Sequence, residues 1–77
     1  MRINILSFGS LNEVVAGGPI DDAEITDSDS LKKYLLANYP EIADKKFVIA
    51  INKNIIQYNT VLNDLDTIAI LPPFSGG

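Results

Sequence analysis

The sequence predicts an α+β fold, one helix laid across one face of a small mixed sheet, on two observations. Three short stretches, residues 2–8, 47–51 and 67–71, have the length and the β-branched, apolar content of strands. A single stretch, residues 28–38, carries leucines at helical spacing, Leu31 and Leu35, between a capping aspartate and a proline. One helix has to bury its apolar stripe, and one sheet offers it a face, which gives a two-layer domain.

In chain order, residues 2–8 form the first strand. Side chains alternate along it, so Ile3, Ile5 and Ser7 share one face and Arg2, Asn4, Leu6 and Phe8 the other. With the isoleucines inward, Leu6 and Phe8 fall on the side that begins polar, as either a minor second cluster or a partner-binding patch. Residues 9–19 form a connection with one helical turn, marked by Leu11, Val14 and Val15 and stopped by Gly17-Gly18-Pro19. The acidic stretch that follows is expected to hold a short edge strand over residues 23–26, its charges discouraging unwanted pairing.

The helix takes Asp27 or Ser28 as N-cap, and Asp29 lies in its first turn, where the helix dipole favours negative charge. Leu31, Leu35 and Asn38 or Tyr39 mark its buried face, widened by Tyr34 and Leu36, while Lys32 and Lys33 face solvent. Pro40 stops it at Tyr39. Ile42 anchors the polar connection that follows. Residues 47–51 form a strand inside the sheet, and Asn52-Lys53-Asn54 turns the chain tightly into a short return strand over 55–57. Residues 58–66 wander, with Val61, Leu62 and Leu65 expected to pack inward. The last strand, 67–71, is nearly all apolar and belongs inside the sheet. This order of elements is that of a β-grasp, or ubiquitin-like, domain over residues 1–71, followed by an extended tail of residues 72–77.

Composition narrows the chemistry. Seventy-seven residues, 47% hydrophobic and 21% charged, make one globular domain. No apolar run approaches the roughly 20 residues of a membrane span. The N-terminus lacks the apolar core and cleavage site of a secretory signal, so a cytoplasmic protein is expected. The absence of Cys removes thiolate nucleophiles, disulfides and Cys-ligated zinc. The absence of His removes the Ser-His triad and the commonest general base and metal ligand. A net charge of −4, a pI near 4.4 and six Lys and Arg argue against nucleic acid or an anionic membrane and permit a basic protein partner. If there is chemistry, this chain brings a reacting group and another protein brings the catalytic machinery.

Internal motifs have plainer explanations. No Lys follows Gly17-Gly18-Pro19, so it is no phosphate loop. Asp21/Asp22, Asp27/Asp29 and Asp64/Asp66 lack the Gly and closing Glu of a calcium loop and read as solvated acids or helix caps, so no metal or cofactor is expected on this chain. Tyr34 and Tyr39 read as residues at the edge of the core.

The tail, Pro72-Pro73-Phe74-Ser75-Gly76-Gly77, is different. Two prolines end sheet pairing and hold the chain extended. Gly76 and Gly77 carry no side chains, so a terminal carboxylate could enter a narrow passage. A free carboxylate is a poor acyl donor and must first become a mixed anhydride such as an acyl-adenylate. It would therefore have to reach an ATP site in another protein on a slender, pre-extended arm. The α-carboxylate of Gly77 is the reactive group this pattern suggests; an inert, frayed end is the plain alternative.

The tail resembles that of the small, sulfur-carrying subunit of molybdopterin synthase. The likeness runs along essentially the whole chain: residues 8–14 resemble that family's aromatic-small-x-aliphatic-x-Glu-aliphatic segment, residues 31–40 its leucine-rich helix closing in Tyr-Pro, and residues 49–52 and 62–70 its hairpin and final strand. The resemblance implies that Gly77 is adenylated by an activating enzyme that uses ATP and is converted to a thiocarboxylate. The tail then inserts into the large synthase subunit and gives sulfur to a cyclic pyranopterin monophosphate, precursor Z. It further implies clearance at Gly76, Phe74 near the tunnel mouth, and a partner-binding role for Leu6, Phe8, Pro72, Pro73 and Ser75, in a hetero-oligomer and not as an enzyme alone. Leu65 stands where the family usually has Gly in an Asp-Gly-Asp turn, and Asn12 replaces a common Arg. A thiamine-pathway sulfur carrier, a ubiquitin-like protein modifier and an interaction domain with an inert tail are the rival expectations.

Overall fold

The structure, a computed structural model, describes residues 1–73. Its strands are β1 (Arg2–Ser7), β2 (Gly18–Asp21), β3 (Val48–Ile51), β4 (Asn54–Ile55) and β5 (Thr67–Leu71), with the helix α1 (Ser28–Asn38) between β2 and β3. Short 3-10 turns at Gly9–Glu13 and Pro40–Asp44 lie within the first hairpin and after the helix. The sheet order is β2-β1-β5-β3-β4, with β1 and β5 parallel and the other pairs antiparallel. This is the β-grasp arrangement, and β5 is its central strand, inside the sheet as its apolar sequence required.

Alternation sorts the sheet into two faces. Ile3 and Ile5 of β1, Ile49 and Ile51 of β3, and Ile68 and Ile70 of β5 point to one side and are buried there. Leu31 and Leu35 from the helix, with Leu11, Val15, Ile25, Ile42 and Leu62 from the connections, complete the same core. Burial of side chains of this size contributes about 1.5–3 kcal/mol each, which makes this layer the main source of stability.

Four expectations are corrected. The second strand is Gly18–Asp21, not residues 23–26. Pro19 is tolerated there because it lies on an edge strand opposite Asn4, whose amide turns the other way and donates to the Asp66 carbonyl at 2.9 Å. In the acidic stretch, the Asp22 side chain instead accepts from the Glu24 amide at 2.8 Å, a local turn that competes with strand pairing. Leu36 is exposed and does not widen the helix's buried face. The return strand begins at Asn54 and ends at Ile55, because Asn52 and Lys53 both take positive φ and reverse the chain within two residues. Val61 and Leu65, each 71% exposed, do not pack inward; only Leu62 of that trio does.

The segment before β5 earns its order from polar contacts instead. The Asn59 side chain accepts from Ser28 Oγ at 3.1 Å and from the Asp29 amide at 2.9 Å. The Thr60 amide donates to Ser28 Oγ at 2.9 Å, and the Leu62 amide donates to the Thr26 carbonyl at 3.0 Å. Ser28 is buried for this reason. At the other end, Asp66 Oδ1 accepts from the Asn52 side chain at 2.9 Å and Oδ2 from the Asn63 amide at 2.8 Å, pinning the loop to the β3–β4 turn.

The N-cap is Asp27, in a reciprocal capping box with Ser30. Its carboxylate sits below the usual range, chiefly because the Ser30 amide donates to it at 2.8 Å, with help from the Ser30 hydroxyl, the Asn59 amide and the charge of Lys33. A depressed folded value means that the charged cap stabilises the fold above the ordinary Asp range and that this contribution is lost as pH falls below about 4. Asp27→Asn keeps a hydrogen-bond acceptor but cannot titrate. The melting-temperature difference between wild type and this variant is therefore expected to shrink between pH 7 and pH 3; a constant difference would show that the charge contributes nothing.

Leu65 takes a φ of 71°, its amide donating to the Arg2 carbonyl at 2.6 Å while Asp64 Oδ1 accepts from the Arg2 amide at 2.8 Å. The turn thus keeps the left-handed backbone that a glycine would adopt, and leucine bears its cost. That conformation costs a non-glycine residue roughly 1–2 kcal/mol, of which glycine's greater unfolded freedom takes back about 0.5–1 kcal/mol. Leu65→Gly is expected to raise the melting temperature by a few degrees in a thermal scan; a fall would mean that the leucine side chain packs usefully.

Candidate functional site: the open sheet face and the exit of the tail

The face of the sheet away from the helix is built by register. Leu6 of β1 lies beside Ala69 of β5, Ala69 beside Ala50 of β3, and Ala50 beside Ile55 of β4. These four residues form one row across the sheet, with two alanines in the middle and large side chains at both ends. Small residues between large ones make a furrow, an open hollow of about 510 Å³. Asn52, Lys53 and Thr67 line one end of it, and Phe8 and Leu71 the other, so the furrow grades from polar to apolar.

Leu6, Phe8 and Ile55 are 40%, 45% and 48% exposed. The first two therefore sit on the side opposite the core, as strand parity required, and they do not form a closed second cluster. Unlike Val61 and Leu65, which are more exposed but do not line the furrow, these three lie together around it, and a contiguous apolar patch is the kind of surface that contacts use.

The tail departs from the apolar end. Leu71, the last residue of β5, pairs with Val48, and strand pairing stops at Pro72. Pro72 is half-buried and Pro73 exposed. Beside them, the Phe8 amide donates to the Ile70 carbonyl at 3.0 Å, and Gly9, with φ of +61°, lies directly under the Pro72 ring. Phe8, Leu71 and Pro72 thus come together at one corner of the molecule. Phe74, Ser75, Gly76 and Gly77 lie outside the described residues.

The other candidates have structural duties. Asn12 is exposed and its side-chain oxygen accepts from Ser7 Oγ at 3.3 Å. Asp27, Asp64 and Asp66 accept hydrogen bonds from the backbone or from Asn side chains. Asp21 lies 3.8 Å from both the N-terminal amine and Arg2. Among the described residues no three carboxylates come together in a way that could hold a metal ion, and no helix is long and apolar enough to cross a membrane. Ala50, Ala69 and Ile55 escaped the sequence reading, because their alignment in one row exists only once the pairing register is known.

Residues 5–77 match the ThiS family. The chain is 32% identical over 82 residues to the molybdopterin synthase sulfur carrier subunit of Mycobacterium tuberculosis, an alignment covering 100% of this chain and 99% of that protein. Among solved structures, a Pyrococcus furiosus protein bearing the name molybdopterin converting factor, subunit 1, superposes with a TM-score of 0.82 over 95% of this chain and 98% of its own, at 18% identity. The small archaeal modifier protein 1 of Methanosarcina acetivorans superposes with a TM-score of 0.76 over 99% of this chain and 96% of its own, at 26% identity. The Pyrococcus likeness, at that identity, speaks to the fold alone.

Proposed function

The chain belongs to the ThiS family, and from that premise we propose that it is the sulfur-carrier subunit of a molybdopterin synthase, acting in the cytoplasm through the α-carboxylate of Gly77. The observation that carries this is the end-to-end relationship with a sulfur carrier subunit, which includes the Gly-Gly tail. The carboxylate oxygen attacks the α-phosphorus of ATP held by an activating enzyme, and pyrophosphate leaves. A sulfide-level donor then attacks the acyl-adenylate carbonyl and AMP leaves, giving a thiocarboxylate. Inside the large subunit that sulfur bonds to the carbon to be thiolated in precursor Z as the oxygen substituent on that carbon leaves. Water then cleaves the acyl–sulfur bond, leaving the sulfur on the pterin and freeing the Gly77 carboxylate for another round.

The chain's own residues supply reach and recognition. It has no His or Cys to act as base or nucleophile, so both partners must bring the catalytic groups. Leu6, Phe8 and the furrow beside them give a partner something apolar to grip next to the point where the tail departs. Pro72 and Pro73 start the tail pre-extended, which lowers the entropic cost of threading it. Phe74, Ser75 and Gly76 come next in the sequence, and a glycine at 76 carries no side chain to obstruct the reacting carboxylate.

Production of the chain with its activating enzyme, followed by intact-mass measurement, should show one oxygen exchanged for sulfur. Persistent absence of that exchange would remove the carrier function. The likeness to an archaeal modifier protein favours a second reading, in which the activated Gly77 is passed to lysine amines. Lysine-linked conjugates across a cell lysate, in place of a stable complex with one large subunit, would select it.

A further inference from the structure

The geometry points to Gly9 as a positioning residue that sets the direction in which the reactive tail leaves the domain. A Cβ built on Gly9 would lie 2.8 Å from Cγ and 3.4 Å from Cδ of Pro72. The proline ring therefore rests on the bare α-carbon, closer than any side-chain-bearing residue would permit. Gly9 also has a φ of +61°, so the seat depends on glycine twice, for its conformation and for its missing Cβ.

The two sides of this contact are not equally free to move. Gly9 follows a residue held at both of its backbone polar groups: the Phe8 amide donates to the Ile70 carbonyl at 3.0 Å, and the Phe8 carbonyl accepts from the Leu11 amide at 3.2 Å, closing over Gly9 a turn that buries Leu11. Pro72, by contrast, has left the strand ladder. A methyl group at position 9 would therefore displace the proline ring rather than the turn. Because the φ of proline is locked, a tilt of that ring re-aims everything after it. Phe8 and the furrow would be left in place, so partners would still dock but would receive a misdirected tail.

The inference rests on the proposed role of Gly77, and the test separates the two. Thiocarboxylate formation by the activating enzyme is followed by intact mass for wild type, Gly9→Ala, Gly18→Ala, Pro72→Ala and the Gly9→Ala/Pro72→Ala double variant, with a thermal melt of each. Gly18 has φ of +128°, and a methyl group added there would meet nothing within 4 Å, so its variant suffers backbone strain without touching the tail. Both glycine variants should melt lower than wild type. Of the two, only Gly9→Ala should lose kcat/KM, by about tenfold to a hundredfold, with the loss in kcat rather than KM. In the double variant the ring is gone, so it should load no worse than Pro72→Ala alone.

Loading of Gly9→Ala at the wild-type rate would overturn the inference. So would an equal loss in Gly18→Ala, or a double variant whose loss is the product of the two single losses. A wild-type chain that is never loaded would instead overturn the function proposed for Gly77, and the role of Gly9 with it.

Discussion

Deletion of Gly77, or addition of one residue after it, is expected to abolish sulfur loading and transfer while leaving the melting temperature nearly unchanged. One residue of extended chain is about 3.3 Å, and a displacement of about 1 Å from the reacting geometry is enough to cost up to a hundredfold in rate. An acyl-adenylate can form only where a carboxylate oxygen meets the α-phosphorus, and a shifted terminus meets it at the wrong place. Stability should be indifferent, because the buried residues of β5, Ile68 and Ile70, lie upstream of Pro72. The paired measurement is an intact-mass assay of loading and a thermal scan. A truncated chain that still gains sulfur would place the reacting group elsewhere, and a large fall in melting temperature would mean that the last residues belong to the fold.

The layers of the domain were legible from sequence because each rests on a local rule. The helix appeared at residues 28–38 because Asp27, the Leu31/Leu35 pair and Pro40 mark its start, face and stop within one short window. β5 showed its central place through an unbroken apolar run, and β1 showed its two faces through alternation. What escaped depends on contacts distant in sequence. Nothing near Pro19 reveals that the neighbouring position, Asn4, spends its amide on Asp66, which is what admits a proline to β2. Val61 and Leu65 are as apolar as Leu62, yet that segment is tied down by Asn59, Thr60 and Asp66, so only one of the three is needed in the core. The furrow was half legible: Leu6 and Phe8 follow from parity, while its alanine floor and its far wall at Ile55 come from three strand registers at once.

Phe8→Asp is expected to weaken assembly with the large subunit by about thirtyfold or more, the scale of an interface hot spot. The wild-type ring closes the apolar end of the furrow beside Leu71, at the corner from which the tail departs, so a partner that threads the tail must pass over it. A carboxylate there would have to be desolvated among Leu6, Ala69 and Leu71, with Lys53 at the other end of the furrow; a buried charge left unpaired costs several kcal/mol. The fold should tolerate the change. Phe8 is 45% exposed, and the hydrogen bond it gives to the Ile70 carbonyl is made by the backbone. Val61→Asp, at a position 71% exposed on the loop that caps the helix, carries the same charge and serves as the control that should leave affinity alone. Calorimetric titration against the large subunit gives the affinities, and a thermal scan of each free variant separates docking from folding. Equal losses for both variants would trace the effect to net charge, because the chain already carries −4. An unchanged affinity for Phe8→Asp, or a melting temperature that falls along with the affinity, would return Phe8 to a structural role and move the partner surface away from the furrow.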